Sequence, residues 1–132
     1  MRVSAKIHNK YNSHDVTVET NENQKTLQIA SKPGGFGSAI NGAELLMLSL
    51  ATCYCNDIYR EAAKRNLTIN GVQVNCESVF GTDGEPASKI TYQVTVDSDL
   101  EPSLVAELIT QTDRMAEIHN TLRKGIEVTL AS

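Results

Sequence analysis

The first 30 residues alternate apolar and polar side chains with a period of two. The apolar positions fall into three groups, which are Val3, Ala5 and Ile7, then Val16 and Val18, then Leu27 and Ile29. Such alternation is typical of strands that bury one face. The segment Asn21-Glu-Asn-Gln24 has the polar composition of a hairpin turn. The pattern therefore predicts three strands before the first helix.

The segment from Leu45 to Tyr54 is predicted to form a helix with apolar side chains on every side. Asn41 can cap this helix, and Glu44 three residues later completes a capping box. We expect the helix to end near Asn66. A helix that is apolar all round must be covered all round. The apolar run is about half of the roughly 20 residues that a membrane span needs, so a second copy of the chain is the simplest cover, and the sequence predicts a homodimer.

The second half of the chain predicts two long strands, a helix and a closing strand. The inner positions are Val72, Val74, Cys76 and Phe80 in one strand, Ile90, Tyr92, Val94 and Val96 in the next, and Ile126, Val128 and Leu130 in the last. The helix begins at Pro102 and carries an apolar stripe of Leu104, Val105, Leu108, Ile109 and Met115, with Ala116 inside it. The predicted order is β-β-β-α-β-β-α-β, an α+β class, in a single domain over residues 1–132.

The charge balance excludes several kinds of partner. The chain has 12 Lys and Arg residues against 16 Asp and Glu residues, a net charge of -4, and no Trp. No basic block stands out, so neither nucleic acid nor an anionic membrane surface is expected as a partner. The segment from Met1 to His8 lacks the apolar core of a signal peptide. A cytoplasmic location is therefore expected.

Three cysteines are the main candidates for chemistry. Cys53 and Cys55 lie two positions apart on the predicted helix and point about 200° away from each other. Their Cβ atoms cannot approach to the roughly 3.8 Å that a disulfide needs, and they cannot chelate one metal ion. Cys76 is in phase with Val72 and is expected to be a core thiol. Cys53 is either an unreactive residue that packs in the core or a reactive thiol shielded from solvent.

The remaining candidates have weaker patterns. The segment Gly34-Gly-Phe-Gly37 lacks the lysine and the spacing of a phosphate-binding loop. It predicts a flexible loop, or a pocket wall formed by Phe36. Glu44 is expected to cap the helix, and its alternative role is to steer a cation or a peroxide. His119, beyond the second helix, is expected to be an exposed turn residue. Neither a metal nor an organic cofactor is indicated.

Two segments together resemble the OsmC/Ohr family. Asn41-Gly-Ala-Glu-Leu-Leu-Met-Leu-Ser-Leu-Ala-Thr-Cys53 resembles the family segment N-P-E-x-L-(apolar)-A-x-C. Ala116-Glu-Ile-His-Asn-Thr-Leu122, followed by Gly125-Ile-Glu-Val128, resembles C-P-V-x-N-T-L and the closing strand. The resemblance implies an intertwined homodimer whose central helices are packed between sheets, with the sites at the interface.

The resemblance also implies a reaction and the residues for it. Family members reduce organic hydroperoxides with two cysteines, of which the first attacks the peroxide and the second resolves the sulfenic acid as a disulfide. Cys53 matches the attacking cysteine, whereas Ala116 stands at the resolving position. The place of the catalytic glutamate falls on Ala43, with Glu44 one position later. Arg2 is the only arginine in the first 45 residues, and it does not match the activating arginine.

These departures leave three functions open. The first is a one-cysteine reductase of organic hydroperoxides, with Cys53 and Glu44 as site residues and an external thiol as reductant. The second is a non-catalytic dimer that binds a small apolar or electrophilic ligand at its interface. The third is a structural or regulatory dimer without a ligand.

Overall fold

The computed structural model describes residues 1–131 and confirms the predicted α+β class. Its elements are β1 (Val3–Lys10), β2 (Ser13–Thr20), β3 (Asn23–Leu27), α1 (Gly42–Lys64), β4 (Gly71–Phe80), β5 (Ala87–Asp97), α2 (Pro102–Met115) and α3 (Glu117–Lys124). Two compact units divide the chain, one over Met1–Leu45 and one over Leu46–Ser132. Within residues 1–131, no helix is long and apolar enough to cross a membrane.

The first unit contains an antiparallel meander in the order β1-β2-β3. The predicted apolar positions align across it, because Val16 pairs with Ile7 on one side and with Leu27 on the other. Asn21 and Glu22 have φ of 47° and 70°, as in the tight turns that match the twist of a hairpin. The predicted turn is therefore confirmed, and it is shorter than the four residues expected.

The glycine-rich loop is fixed to the turn between β1 and β2. The Asn12 N–H donates to the Gly35 carbonyl at 2.6 Å. Gly35 has φ of 95°, and a Cβ there would lie 2.6 Å from the Tyr11 ring, so only glycine fits this close approach. Phe36 packs on Tyr11 and is 64% exposed. The loop is thus held by contacts rather than free, and Phe36 lies on the surface of the described chain.

Helix α1 begins with the predicted capping box. The Asn41 N–H donates to the Glu44 carboxylate at 3.0 Å, and the Glu44 N–H donates to the Asn41 side chain at 2.7 Å. Asn66, with φ of 56°, follows the end of the helix as predicted. One face of α1 is buried, namely Leu50, Tyr54, Asp57, Ile58, Glu61 and Ala62. Leu48 on another face is 58% exposed, so the described chain covers the apolar helix on one side only.

The core of the second unit lies between α1, α2 and the β4-β5 hairpin. Tyr54, Ile58, Ala62 and Leu108 form its fully buried centre, and the predicted inner residues Val72, Val74, Tyr92, Val94 and Val96 pack against them. Cys76 is opposite Tyr92 in the hairpin and is half-buried, as expected of a thiol on the inner face. Phe80, also predicted to face inward, is 42% exposed at the end of β4.

The carboxy-terminal part corrects the sequence prediction in two ways. Helix α2 ends at Met115, which is 46% exposed, and a helix that was not predicted, α3, follows Ala116 directly. The predicted closing strand does not form within residues 1–131. Val128 and Leu130 are both 96% exposed. Their alternation fits a strand, but a strand also needs a neighbour for its backbone hydrogen bonds, and the described chain does not supply one.

Candidate functional site

Cys53 lies in a small polar cluster formed by α1 and the first turn of α3. Cys53, Asp57 and Arg60 have the spacing i, i+4, i+7 and so share one face of α1. The Cys53 thiol donates to Asp57 Oδ2 at 3.5 Å and to Glu117 Oε2 at 3.8 Å. Glu117 is the first residue of α3. The fold therefore brings two carboxylates to one thiol.

Arg60 joins the two carboxylates of this cluster. Its Nη2 lies 3.1 Å from Asp57 Oδ1 and 3.3 Å from Glu117 Oε1. Asp57 is only 4% exposed, and a buried carboxylate is stable only when it is paired or neutralised. The guanidinium supplies that pairing and leaves the second oxygen of each carboxylate facing Cys53.

The surroundings of Cys53 favour the neutral thiol over the thiolate at rest. Burial raises the pKa of Cys53, and the negative charges of Asp57 and Glu117 raise it further. The backbone N–H of Ile118, in the first turn of α3, acts in the opposite direction because it donates to the sulfur and stabilises the thiolate. The cluster thus contains both a group that can take the thiol proton and a donor for the resulting anion.

The two carboxylates differ in proton affinity. Burial raises the pKa of Asp57, and the neighbouring charge of Glu117 adds to this effect. The pKa of Glu117 is lowered by its own backbone N–H at the start of α3 and by Arg60. Two carboxyl groups this close do not both ionise freely, so a proton that enters the pair resides on Asp57. Asp57 is therefore the group of the cluster best suited to exchange a proton with Cys53.

Glu44 lies away from this cluster. It precedes Cys53 by nine helical positions, which correspond to about 13 Å along the axis and about 180° around it. Its carboxylate accepts the Asn41 N–H, so it caps α1. The role of Glu44 in the Cys53 site stays a prediction, and Asp57 and Glu117 are the carboxylates that contact the thiol. Cys55 also lies elsewhere, in a pocket shared with Val72 and Val74.

The position of His119 differs from the expectation. It lies inside α3 and is only 4% exposed, whereas the sequence predicted an exposed turn residue. Its ring is 4.7 Å from that of Tyr92, edge to face, and 6.0 Å from that of Tyr54. Burial and the nearby Arg123 lower the pKa of His119, so the ring is neutral near neutral pH. The amphipathic α3, missed in the sequence, is what carries this side chain inward.

The same cluster offers donors for a metal ion. The Cys53 sulfur and one carboxylate oxygen each from Asp57 and Glu117 lie within 4.8 Å of one another. Arg60 supplies one positive charge to the two carboxylates and occupies one oxygen of each, so a cation would have to compete with the guanidinium for them. We therefore interpret it as a thiol site.

Sequence reasoning missed three residues of the cluster. The i, i+4, i+7 spacing of Cys53, Asp57 and Arg60 was a signal that could have identified two of them. Glu117 comes from 64 positions further along the chain. Its only signal was adjacency to Ala116, the place of the resolving cysteine in the resemblance. Ala116 itself is fully buried.

Comparison with known proteins agrees with the resemblance. The family model for "OsmC-like protein" matches residues 35–131. An OsmC-like protein from Mycoplasma pneumoniae superposes with a TM-score of 0.65 at 21% identity, over 94% of this chain and 87% of that one. An organic hydroperoxide resistance protein OsmC from Legionella pneumophila gives 0.63 at 21%, over 98% and 95%. An organic hydroperoxide resistance protein from Elizabethkingia anophelis gives 0.64 at 14%, over 97% and 92%. No curated protein matched the chain significantly.

Proposed function

The chain belongs to the OsmC-like protein family, and from that premise we propose that it reduces organic hydroperoxides through the single cysteine Cys53. Relatives of similar fold are named organic hydroperoxide resistance proteins. The observation that carries the proposal is the thiol cluster itself. The Cys53 sulfur lies 3.5 Å from the Asp57 carboxylate and accepts the Ile118 N–H, so it has a proton acceptor and an anion stabiliser in contact.

The first step consumes the hydroperoxide. Asp57 takes the Cys53 proton, and the thiolate attacks the terminal oxygen of R–O–O–H. The O–O bond breaks, an S–O bond forms, and the products are the Cys53 sulfenic acid and an alkoxide. The alkoxide takes the proton from Asp57 and leaves as the alcohol. Arg60 stays paired with both carboxylates, and its positive charge favours the return of Asp57 to the ionised form.

The second step needs a thiol from outside the chain. Ala116 provides no sulfur at the resolving position, and Cys55 points away on the same helix. One external thiol condenses with the sulfenic acid to give a mixed disulfide and water, and a second thiol releases Cys53 as the free thiol. The oxidised product is the external disulfide.

Mass spectrometry after a short treatment with cumene hydroperoxide tests this proposal. We expect one added oxygen on Cys53, together with one equivalent of cumyl alcohol, because Asp57 can take the thiol proton and the Ile118 N–H stabilises the thiolate. Cys55 and Cys76 serve as internal controls and should remain unmodified. Oxidation spread equally over the three cysteines, or absent from Cys53, would overturn the proposal.

One observation favours the non-catalytic alternative. The resting Cys53 is held as the neutral thiol, because burial and two carboxylates raise its pKa. In that case Cys53 only lines a binding site for a small apolar or electrophilic ligand. The same mass spectrometry separates the two functions, since a site that only binds leaves the thiol unoxidised and forms no alcohol.

We also propose that the chain is a homodimer with α1 near its centre. The apolar residues left exposed are Leu48 on α1 at 58%, Ile126 at 57%, and Val128 and Leu130 at 96%. A second copy would cover these side chains and would give the closing segment a strand to pair with. Light scattering is expected to give about twice the chain mass of 14.4 kDa. A mass of one chain would refute the dimer.

A further inference from the structure

A separate pocket of 130 Å³ lies beside α3, lined by Leu50, Ile90, Tyr92, His119, Leu122 and Arg123. His119 is only 4% exposed, so it is 96% buried. Neither of its ring nitrogens has a hydrogen-bond partner among residues 1–131. A buried polar group without a hydrogen-bond partner destabilises the fold. Such a group lining a pocket indicates that the pocket receives a hydrogen-bonding molecule.

The polar part of the pocket presents donors. Tyr92 donates its hydroxyl to Asp113, so that carboxylate is occupied on one side. Arg123 is ion-paired with the same carboxylate at 2.7 Å, and its Nη1 donates to the Asp113 carbonyl and to Asn120, so it lines the pocket as a charged group already paired on one side. A neutral His119 contributes one N–H. The rest of the lining is apolar, from Leu50, Ile90 and Leu122.

We propose that this pocket binds a short-chain carboxylate. The carboxylate oxygens accept hydrogen bonds from His119 and Arg123, and the hydrocarbon part contacts the three apolar residues. The small volume of the pocket suits a molecule with a short hydrocarbon part. The inference does not depend on peroxide chemistry at Cys53.

Propionate, which fits this size, is the probe. In the full chain, NMR titration should show a saturable shift of the His119 ring signals. Propanol has the same chain without the charge, and propylamine has the opposite charge, so neither should produce that shift. If propionate produces no saturable shift, or if propanol matches its affinity, the pocket holds only water or apolar groups and the proposal is wrong.

Two variants identify the donors. His119→Phe and Arg123→Gln should each weaken propionate binding by about 10- to 100-fold, as expected for a lost hydrogen bond to a charged group. Lys124→Gln is the matched control, because it removes the same charge from the neighbouring exposed position of α3, and it should leave the affinity unchanged. If Arg123→Gln and Lys124→Gln lost equal affinity for propionate, the effect would come from the overall charge of the protein and not from a contact in the pocket. That result would contradict the proposal.

The wild-type titration decides the question even if His119→Phe does not fold. Binding should also persist in Cys53→Ser, because Cys53 is absent from the pocket lining. If Cys53→Ser no longer reduces peroxide but still binds propionate, the two proposals are independent. A failure of one of them then does not imply a failure of the other. Loss of propionate binding in Cys53→Ser would count against a separate pocket.

Discussion

Replacing Cys53 by serine should reduce hydroperoxide consumption to the rate of the reductant alone. Serine keeps the size and the hydrogen bond to Asp57, but its hydroxyl has a far higher pKa than a thiol and cannot be oxidised to a sulfenic acid. The measurement is loss of cumene hydroperoxide in the presence of a dithiol, with circular dichroism to verify the fold of the variant.

Cys55→Ser is the matched control on the same helix. Cys55 lies in the pocket with Val72 and Val74 and makes no contact with the Cys53 cluster among the hydrogen bonds of residues 1–131. We expect this variant to consume hydroperoxide at the wild-type rate. Equal consumption by wild type and Cys53→Ser would show that Cys53 is not the reacting group.

The pH dependence gives a second readout for Cys53. Because burial and the two carboxylates raise the pKa of the thiol, the reactive thiolate is scarce at neutral pH. Raising the pH removes the proton and populates the thiolate, so the rate of the wild type should rise from neutral pH into the alkaline range. A rate that is flat across this range would mean that the thiolate is already fully formed, which would contradict the environment described for Cys53.

The strands and the two long helices could be predicted because each repeats a local pattern. The period-two positions of β4 and β5 face the core, and Asn41 with Glu44 caps α1 through hydrogen bonds three residues apart. Helix α3 escaped prediction because it is only eight residues long and follows α2 without a polar linker. The predicted closing strand does not form within residues 1–131, because alternation indicates which side chains share a face, whereas strand formation also needs a neighbouring strand.

The candidate site could be predicted only in part, since its residues meet through tertiary structure. Cys53 emerged from the resemblance, and Asp57 was detectable from helical spacing. Glu117 contacts the thiol because α3 lies beside α1. A contact between residues so far apart in the sequence cannot be predicted from the spacing of residues within one element. His119 was misjudged for the same reason, since burial of a histidine depends on Tyr54 and Tyr92, which come from other elements.

Replacing Leu108 by alanine should destabilise the fold by about 2–5 kcal/mol. Leu108 is fully buried in the centre of the second unit and belongs to one cluster with Tyr54 and Ile58. Truncation removes its contacts and leaves a cavity that the surrounding helices and hairpin fill only partly. Urea unfolding followed by circular dichroism should give an unchanged slope and a lower midpoint, as expected when stability alone changes.

Leu104→Ala is the control for this truncation, because Leu104 lies one turn earlier on α2 and is 38% exposed. Leu104→Ala should lower the free energy of unfolding by no more than about half as much as Leu108→Ala, because Leu104 buries less apolar area. The comparison also bears on the thiol site, because Tyr54 and Ile58 flank Cys53 and Asp57 on α1 and position that helix in the core. If the two variants lost equal stability, the core would not be centred on Leu108, and the rigid positioning of the Cys53 cluster would lose its structural basis.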